Sequence, residues 1–181
     1  MSNFADYAGT WAIDTAHSNI GFIARHAMIT KVRGNFETFE GTFTIDDQTP
    51  ANSSINFSAE LASVNTGVAD RDGHLRSADF FDVENNTQMT FTSTDLTVTG
   101  AAATLSGNLM IKGTTLPVTI DVELNGVTTD PFGNVRAGFE GTTAISRKDF
   151  GLIWNAPLEA GGWLVSDDIK VVLDISAIKQ A

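Results

Sequence analysis

Side chains able to carry chemistry are few in this sequence, and their spacing commits none of them to a reaction. Cysteine is absent, which removes thiolate nucleophiles, disulfides and Cys-ligated metal centres together. The three histidines, His17, His26 and His74, lie on separate segments without the i, i+4 pairing of a helical zinc motif. An imidazole metal site would need all three to converge in space, and the default for each is a hydrogen-bonded structural role. The densest polar cluster is Arg71-Asp72-Gly73-His74, followed by Arg76 and Asp79. Asp72 and His74 are of the types that exchange protons, and Arg71 is of the type that holds an anionic headgroup. The plainer reading is a loop clamped in place, with Arg71 or Arg76 bridging carboxylates. Arg147-Lys148-Asp149-Phe150-Gly151 reads as a strand-end turn in which Phe150 caps the core and Gly151 takes an unusual backbone angle. No Gly-x-Ser-x-Gly elbow supports serine hydrolysis, and Lys112-Gly113-Thr114 runs in the wrong order for a phosphate loop. No catalytic residue, metal ion or cofactor is assigned.

The elements that would position these groups are strands, because apolar residues recur with a period of two. Leu116, Val118, Ile120, Val122 and Leu124 alternate with Pro117, Thr119, Asp121 and Glu123. The same alternation runs through Ile55, Phe57, Ala59 and Leu61, through Leu105, Gly107, Leu109 and Ile111, through Val135 to Ile145, and through Ile169 to Ala177. Trp11–Ala27, Val32–Asp46 and Met89–Thr99 are less regular. In the last, the apolar phase shifts between Phe91 and Leu96, which predicts a bulge near Ser93–Asp95. About eight strands result, separated by turns at 46–50, 100–102, 112–114, 125–126 and 130–134. Asp70–Asp82 breaks the alternation and predicts a short helix with an irregular end between the third and fourth strands. Asp149–Trp163 predicts an irregular or helical insertion before the last strand.

The chain has 181 residues, and 22 acidic against 11 basic side chains give a net charge of −11. One domain, residues 1–181, is expected, large enough to bury its own core. The charge has the wrong sign for nucleic acid, and no Lys/Arg cluster is visible along the sequence to hold a peripheral protein on anionic lipid. No stretch reaches the ~18 apolar residues of a membrane span. Met1–Gly9 has neither region of a secretory leader. A cytoplasmic protein that does not insert into membranes is therefore expected.

Eight antiparallel strands in a meander can form a sandwich or an up-and-down barrel. An eight-stranded barrel is either filled by side chains or hollow enough for one small ligand. Its inward rows would combine bulky Phe22, Phe43, Phe57, Leu61, Phe91, Leu109, Ile111, Ile120, Phe139 and Leu173 with small Ala24, Ala59, Ala137, Gly107 and Gly141. Small residues there leave volume, and a deep apolar tube without inward charges suits a long hydrocarbon such as a prenyl or acyl chain. The alternative is that helix and loop side chains fill the space, with Gly and Ala merely easing curvature. Trp11, Trp154 and Trp163 would cap an end, line an entrance or pack in the core.

Taken in order, the segments resemble the YceI-like family of bacterial polyisoprenoid-binding, lipocalin-like proteins. The resemblance begins with Trp11-Ala12-Ile13-Asp14, His17-Ser18, Phe22, His26, Gly34-Asn35-Phe36, Phe39, Gly41 and Thr66-Gly67. It continues through Arg71-Asp72, His74-Leu75, Asp79-Phe80-Phe81-Asp82, Thr90-Phe91, Gly107-Asn108-Leu109, Lys112-Gly113 and Pro117-Val118. Arg147 with Asp149-Phe150-Gly151 closes it. The sequence departs at Thr87, where relatives tend to carry proline, and at Thr114, where valine is usual. The resemblance implies an all-β, eight-stranded antiparallel lipocalin-like barrel, a long isoprenoid ligand, and a homodimer as a common state. Many relatives carry a secretory leader, which is not seen here. Asp14, His17, Arg71, Asp72, His74 and Arg147 would then be architectural ties. The rival reading is an isoprenoid- or lipid-modifying enzyme using Arg71, Asp72 and His74, with or without a metal.

Overall fold

The computed structural model of the chain describes residues 2–181. Alternation builds eleven strand segments: β1 (Gly9–Ile13), β2 (Asn19–His26), β3 (Thr30–Phe36), β4 (Phe39–Ile45), β5 (Ser54–Glu60), β6 (Val64–Asn65), β7 (Gln88–Thr99), β8 (Ala102–Ile111), β9 (Thr114–Thr129), β10 (Val135–Ser146) and β11 (Asp168–Lys179). One helix, α1 (Ala69–Arg76), lies between β6 and β7. All pairings are antiparallel, and β1, β4, β5, β7, β8, β9, β10 and β11 form a ring that closes when β11 returns to β1. The result is a closed eight-stranded barrel, which leaves no long exposed sheet edge.

The two irregular N-terminal stretches explain why eleven segments make eight walls. β1 and β2 lie end to end on the same edge of β11, Ile13 opposite Ala177 and Ile20 opposite Leu173. Between them Asp14 caps a single 3-10 turn at Thr15–His17 by accepting from the Ala16 N–H at 3.1 Å. β3 and β4 are likewise one wall interrupted at Glu37–Thr38, where both backbone N–H groups bond to Ser63 instead of continuing a ladder. At that end β3 pairs with the short β6, and α1 and the turns after it, rather than a strand ladder, complete the wall.

Two expectations about turns resolve differently. The bulge falls between Ser93 and Asp95 as the phase shift requires. Asn125-Gly126 is not a turn: β9 runs through it, and the dipeptide forms a second bulge, with Leu124 opposite Phe139 and Gly126 opposite Gly138. Gly126 takes φ +126°, a value open to glycine, and its N–H is donated to the Tyr7 hydroxyl at 2.7 Å. The chain can therefore extend past an apparent turn signal because the N-terminal segment supplies the partner that the ladder loses there.

Core residues gather in two groups, one toward each end of the barrel. The group at the α1 end includes Ile20, Phe36, Leu61, Phe80, Phe81 and Phe150. The other includes Tyr7, Trp11, Phe43, Leu96 and Ala137. Tyr7 belongs to a 3-10 turn, Phe4–Tyr7, that covers this second end. The Trp11 indole N–H donates to the Tyr7 carbonyl at 2.8 Å, so Trp11 is fully buried core rather than entrance.

Two glycines, one inward on β8 and one exposed on α1, differ in the room around them. Gly107 is occupied space, because a Cβ there would stand 2.3 Å from Phe91 Cζ and 2.6 Å from the Thr92 carbonyl oxygen. Gly73, inside α1, has nothing within 4 Å of an added Cβ. Gly107→Val is expected to lower stability by about 1–3 kcal/mol through overpacking, whereas Gly73→Ala should raise it by about 0.5–1 kcal/mol through helix propensity. Urea unfolding midpoints of the two variants check both signs.

Candidate functional site

A cavity runs through the barrel and touches both core groups, from Phe4 and Tyr7 at one end to Leu75, Phe150 and Val165 at the other. Its volume is about 310 Å³ and its surface is almost entirely carbon. The strands make this wall by alternation: Val118, Ile120, Val122 and Leu124 of β9 and Ile169, Val171, Leu173 and Ile175 of β11 all point inward.

Nine of the ten expected lining residues lie on the wall: Phe22, Phe43, Phe57, Phe91, Leu109, Ile111, Ile120, Phe139 and Leu173. Leu61 does not. It sits just past the end of β5 in a 3-10 turn, Leu61–Ser63, where strand alternation has stopped, and it is fully buried in the core behind the wall. Among the small residues, Ala24 and Gly141 face the cavity, while Ala59 and Ala137 are buried elsewhere. Of the five small residues expected inward, two therefore reach the cavity, and Gly21 and Ala103, outside that set, line it as well.

Sequence periodicity misses the ends of the cavity. Phe4, Tyr7, Leu75, Phe80, Phe81, Leu152 and Val165 line it from irregular segments, where apolar residues carry no period that assigns them a direction. The only signal available to the sequence was their bulk in otherwise polar stretches. Aromatic rings seal one end through Tyr7 against Phe139, with centroids 5.4 Å apart, and Phe43 edge-on to Phe139 at 5.5 Å.

The polar cluster is bound into the scaffold. Asp72 accepts from both the Thr66 N–H (2.8 Å) and the Thr66 hydroxyl (2.5 Å), and Arg71 donates to the same hydroxyl and to the Thr66 carbonyl. Arg76 donates to the Ala62 and Val64 carbonyls. The expected bridging of carboxylates by Arg71 or Arg76 is therefore replaced by bonds to a hydroxyl and to backbone, which hold α1 against β6. His74 turns to Asp79 at 2.8 Å and packs edge-on against Trp154, so it engages neither Asp72 nor Arg71. Among the described residues no three His, Asp or Glu side chains cluster as metal ligands.

Arg147 closes the same end. It is buried, and its guanidinium donates to the carbonyls of Leu152, Trp154, Val165 and Ser166, which fold the 151–167 loop around it. Burial pushes its pKa down, partly offset by Asp167. Gly151 has φ +81°, the left-handed backbone anticipated for it, and Phe150 is buried against the core.

At the opposite rim Arg136 joins three segments by donating to Asp14 (2.7 Å) and Asp130 (2.7 Å). The guanidinium holds the Asp14 carboxyl below its ordinary value, helped by His17, and holds Asp130 far below, helped by the N–H groups of the 130–134 turn.

The barrel thus closes around a carbon-lined cavity, with its polar side chains held at the two rims. The YceI-like domain profile matches residues 11–177, and the chain belongs to that family. A UPF0312 protein of Pseudomonas aeruginosa (strain LESB58) is 37% identical over 164 residues, covering 91% of this chain and 83% of the relative. Burkholderia cenocepacia BcnA shares the fold with a TM-score of 0.77 and 22% identity, covering 91% of this chain and 98% of that one. A polyisoprenoid binding domain from Saccharophagus degradans, implicated in plant cell wall breakdown, shares it with a TM-score of 0.71 and 16% identity, covering 94% and 98%.

Asp14 and Asp130 titrate lower in the folded protein than in the unfolded chain. Their contribution is therefore complete above the ordinary Asp range and is lost as pH falls through the lowered folded values. Arg136→Met removes their shared partner. The variant should be less stable than wild type above about pH 5, with the gap narrowing below about pH 4; urea unfolding across this range measures it.

Proposed function

We propose that the protein carries or sequesters a long-chain polyisoprenoid, of the quinone-tail or prenyl-phosphate type, inside the barrel and without catalysing its conversion. The observation that carries this reading is the continuous carbon-lined cavity linking both core groups. Each methylene-sized group removed from water contributes about 0.8 kcal/mol, so a chain of several prenyl units gains affinity from length alone. With almost no polar surface inside, recognition follows the width and bend of the hydrocarbon, and a charged headgroup stays at an end of the barrel. The domain name of the Saccharophagus degradans neighbour agrees with this reading. The enzymatic alternative gains nothing from the geometry of Arg71, Asp72 and His74: the first two are turned to Thr66 and the third to Asp79.

Organic extraction of the purified protein, followed by lipid mass spectrometry and a prenyl-alcohol binding assay, tests the proposal. Wild type should yield or take up an isoprenoid. Phe57→Arg and Leu109→Arg should abolish uptake, and Ala24→Phe, which fills the cavity while keeping it apolar, should reduce uptake without lowering the melting temperature. Repeated preparations with neither bound lipid nor prenyl uptake would overturn the reading. Full uptake by folded Phe57→Arg and Leu109→Arg would place the ligand elsewhere. Sedimentation of the same preparations reads the expected dimer.

A further inference from the structure

Exposed apolar side chains collect at one corner of the barrel. Met28 and Ile29, 65% and 76% exposed, form the tip of the β2–β3 hairpin, and Trp163, 54% exposed, stands on the loop beside it. The two are joined by the Ala27 N–H donating to the Leu164 carbonyl at 2.7 Å and by the His26–Val165 bridge. They also meet at Gly162, where a Cβ would come 2.4 Å from Met28 Sδ. Phe132, exposed at the opposite end, stands alone in a turn, as single surface apolar residues commonly do.

The tip is built at a conformational cost. Ala27 and Met28 both have positive φ, 51° and 62°, in a turn that Asn-Gly would form more easily. An exposed thioether kept in left-handed backbone indicates that the side chain, rather than the turn, is what the position requires.

Charge distinguishes the corner from the rest of the molecule. From Asn19 to Phe36 there is no acidic residue, in a chain that has 22. Arg25 stands opposite Lys31, and Ile23 stands opposite both Arg33 on β3 and Lys170 on β11. Because Phe22, Ala24 and Val171 point into the cavity, these four cations share the outer face just behind the tip. Arg25, Lys31 and Arg33 are exposed, and among the described residues none of them forms an ion pair. Of the nearby acids, Asp167 is taken up by Arg147 and Lys148, Glu159 lies on the adjoining loop, and Asp168, exposed at the start of β11, shares the outer face of that strand with Lys170.

We propose that this corner docks on an anionic bilayer surface, with Met28, Ile29 and Trp163 at headgroup depth and Arg25, Lys31, Arg33 and Lys170 on lipid phosphates. An apolar tip backed by unpaired cations matches an interface that is apolar below and negative above. Negative charge elsewhere on the molecule is screened beyond about 8 Å at physiological salt. Docking here sets against the membrane the barrel end whose wall is completed by α1 and a loop rather than by strand pairing. The inference extends the carrier reading but is measured independently of it, since vesicle binding reads the surface and lipid extraction reads the interior.

Flotation of the full chain with vesicles of phosphatidylcholine, alone or mixed with phosphatidylglycerol, is the test. The protein should float with the mixed vesicles, be released by salt, and show a blue shift of the Trp163 emission on binding. Each of Arg25→Glu, Lys31→Glu and Arg33→Glu should lower partitioning at least about fivefold. Ala27→Asn with Met28→Gly should keep or raise the melting temperature while losing flotation, which a purely structural tip would not do. Absence of flotation at moderate salt, or undiminished flotation of either variant class, overturns the proposal. Loss of a dimer in the Ala27/Met28 variant, with no vesicle binding by wild type, overturns it in favour of a second copy at this corner.

Discussion

Everything in this molecule follows from one closure: the last strand, β11, returns to pair with the first, Ile13 opposite Ala177. A ring of eight antiparallel strands has a fixed girth, and alternation sends every second side chain into it. Those inward positions must be apolar, because buried polar groups without partners are costly. Aromatic rings meet at one end, and Gly21, Ala24, Ala103 and Gly141 are the small residues among the bulkier ones of the cavity wall. Closure thus accounts at once for the stability of the sheet and for the interior that makes the barrel useful.

Polar residues enter where the barrel must be finished. Arg136 draws Asp14 and Asp130 together at one rim. Arg147 gathers four carbonyls at the other, and Arg71, Asp72 and Arg76 fasten α1 to β6 through Thr66, Ala62 and Val64. Arg71, Arg76 and Arg147 satisfy backbone carbonyls that irregular segments cannot pair among themselves, whereas Arg136 works through carboxylates.

Much of the wall was legible in the sequence because a period of two assigns each residue to a face. Leu109, Ile111, Ile120 and Leu173 could be placed that way, and so could the bulge at Ser93–Asp95. Leu61 lies off the cavity wall because the strand alternation ends before it, in a 3-10 turn. Asn125-Gly126 was misread because its bulge depends on Tyr7, more than a hundred residues away. Gly107 looked like free space, since the sequence does not reveal that the Phe91 ring lies over it.

By itself the sequence determined the strand rows, their apolar face, the helical interruption and the negative overall charge, all properties of neighbours along the chain. Only the tertiary structure decided that β1 and β2 share one edge, that irregular segments supply the cavity ends, and that Arg25, Lys31, Arg33 and Lys170 lie on one face behind an apolar tip. The division has a physical cause: periodicity is local, whereas cavity ends and charge clusters arise where distant segments meet, and their registers are fixed only once the ring is closed.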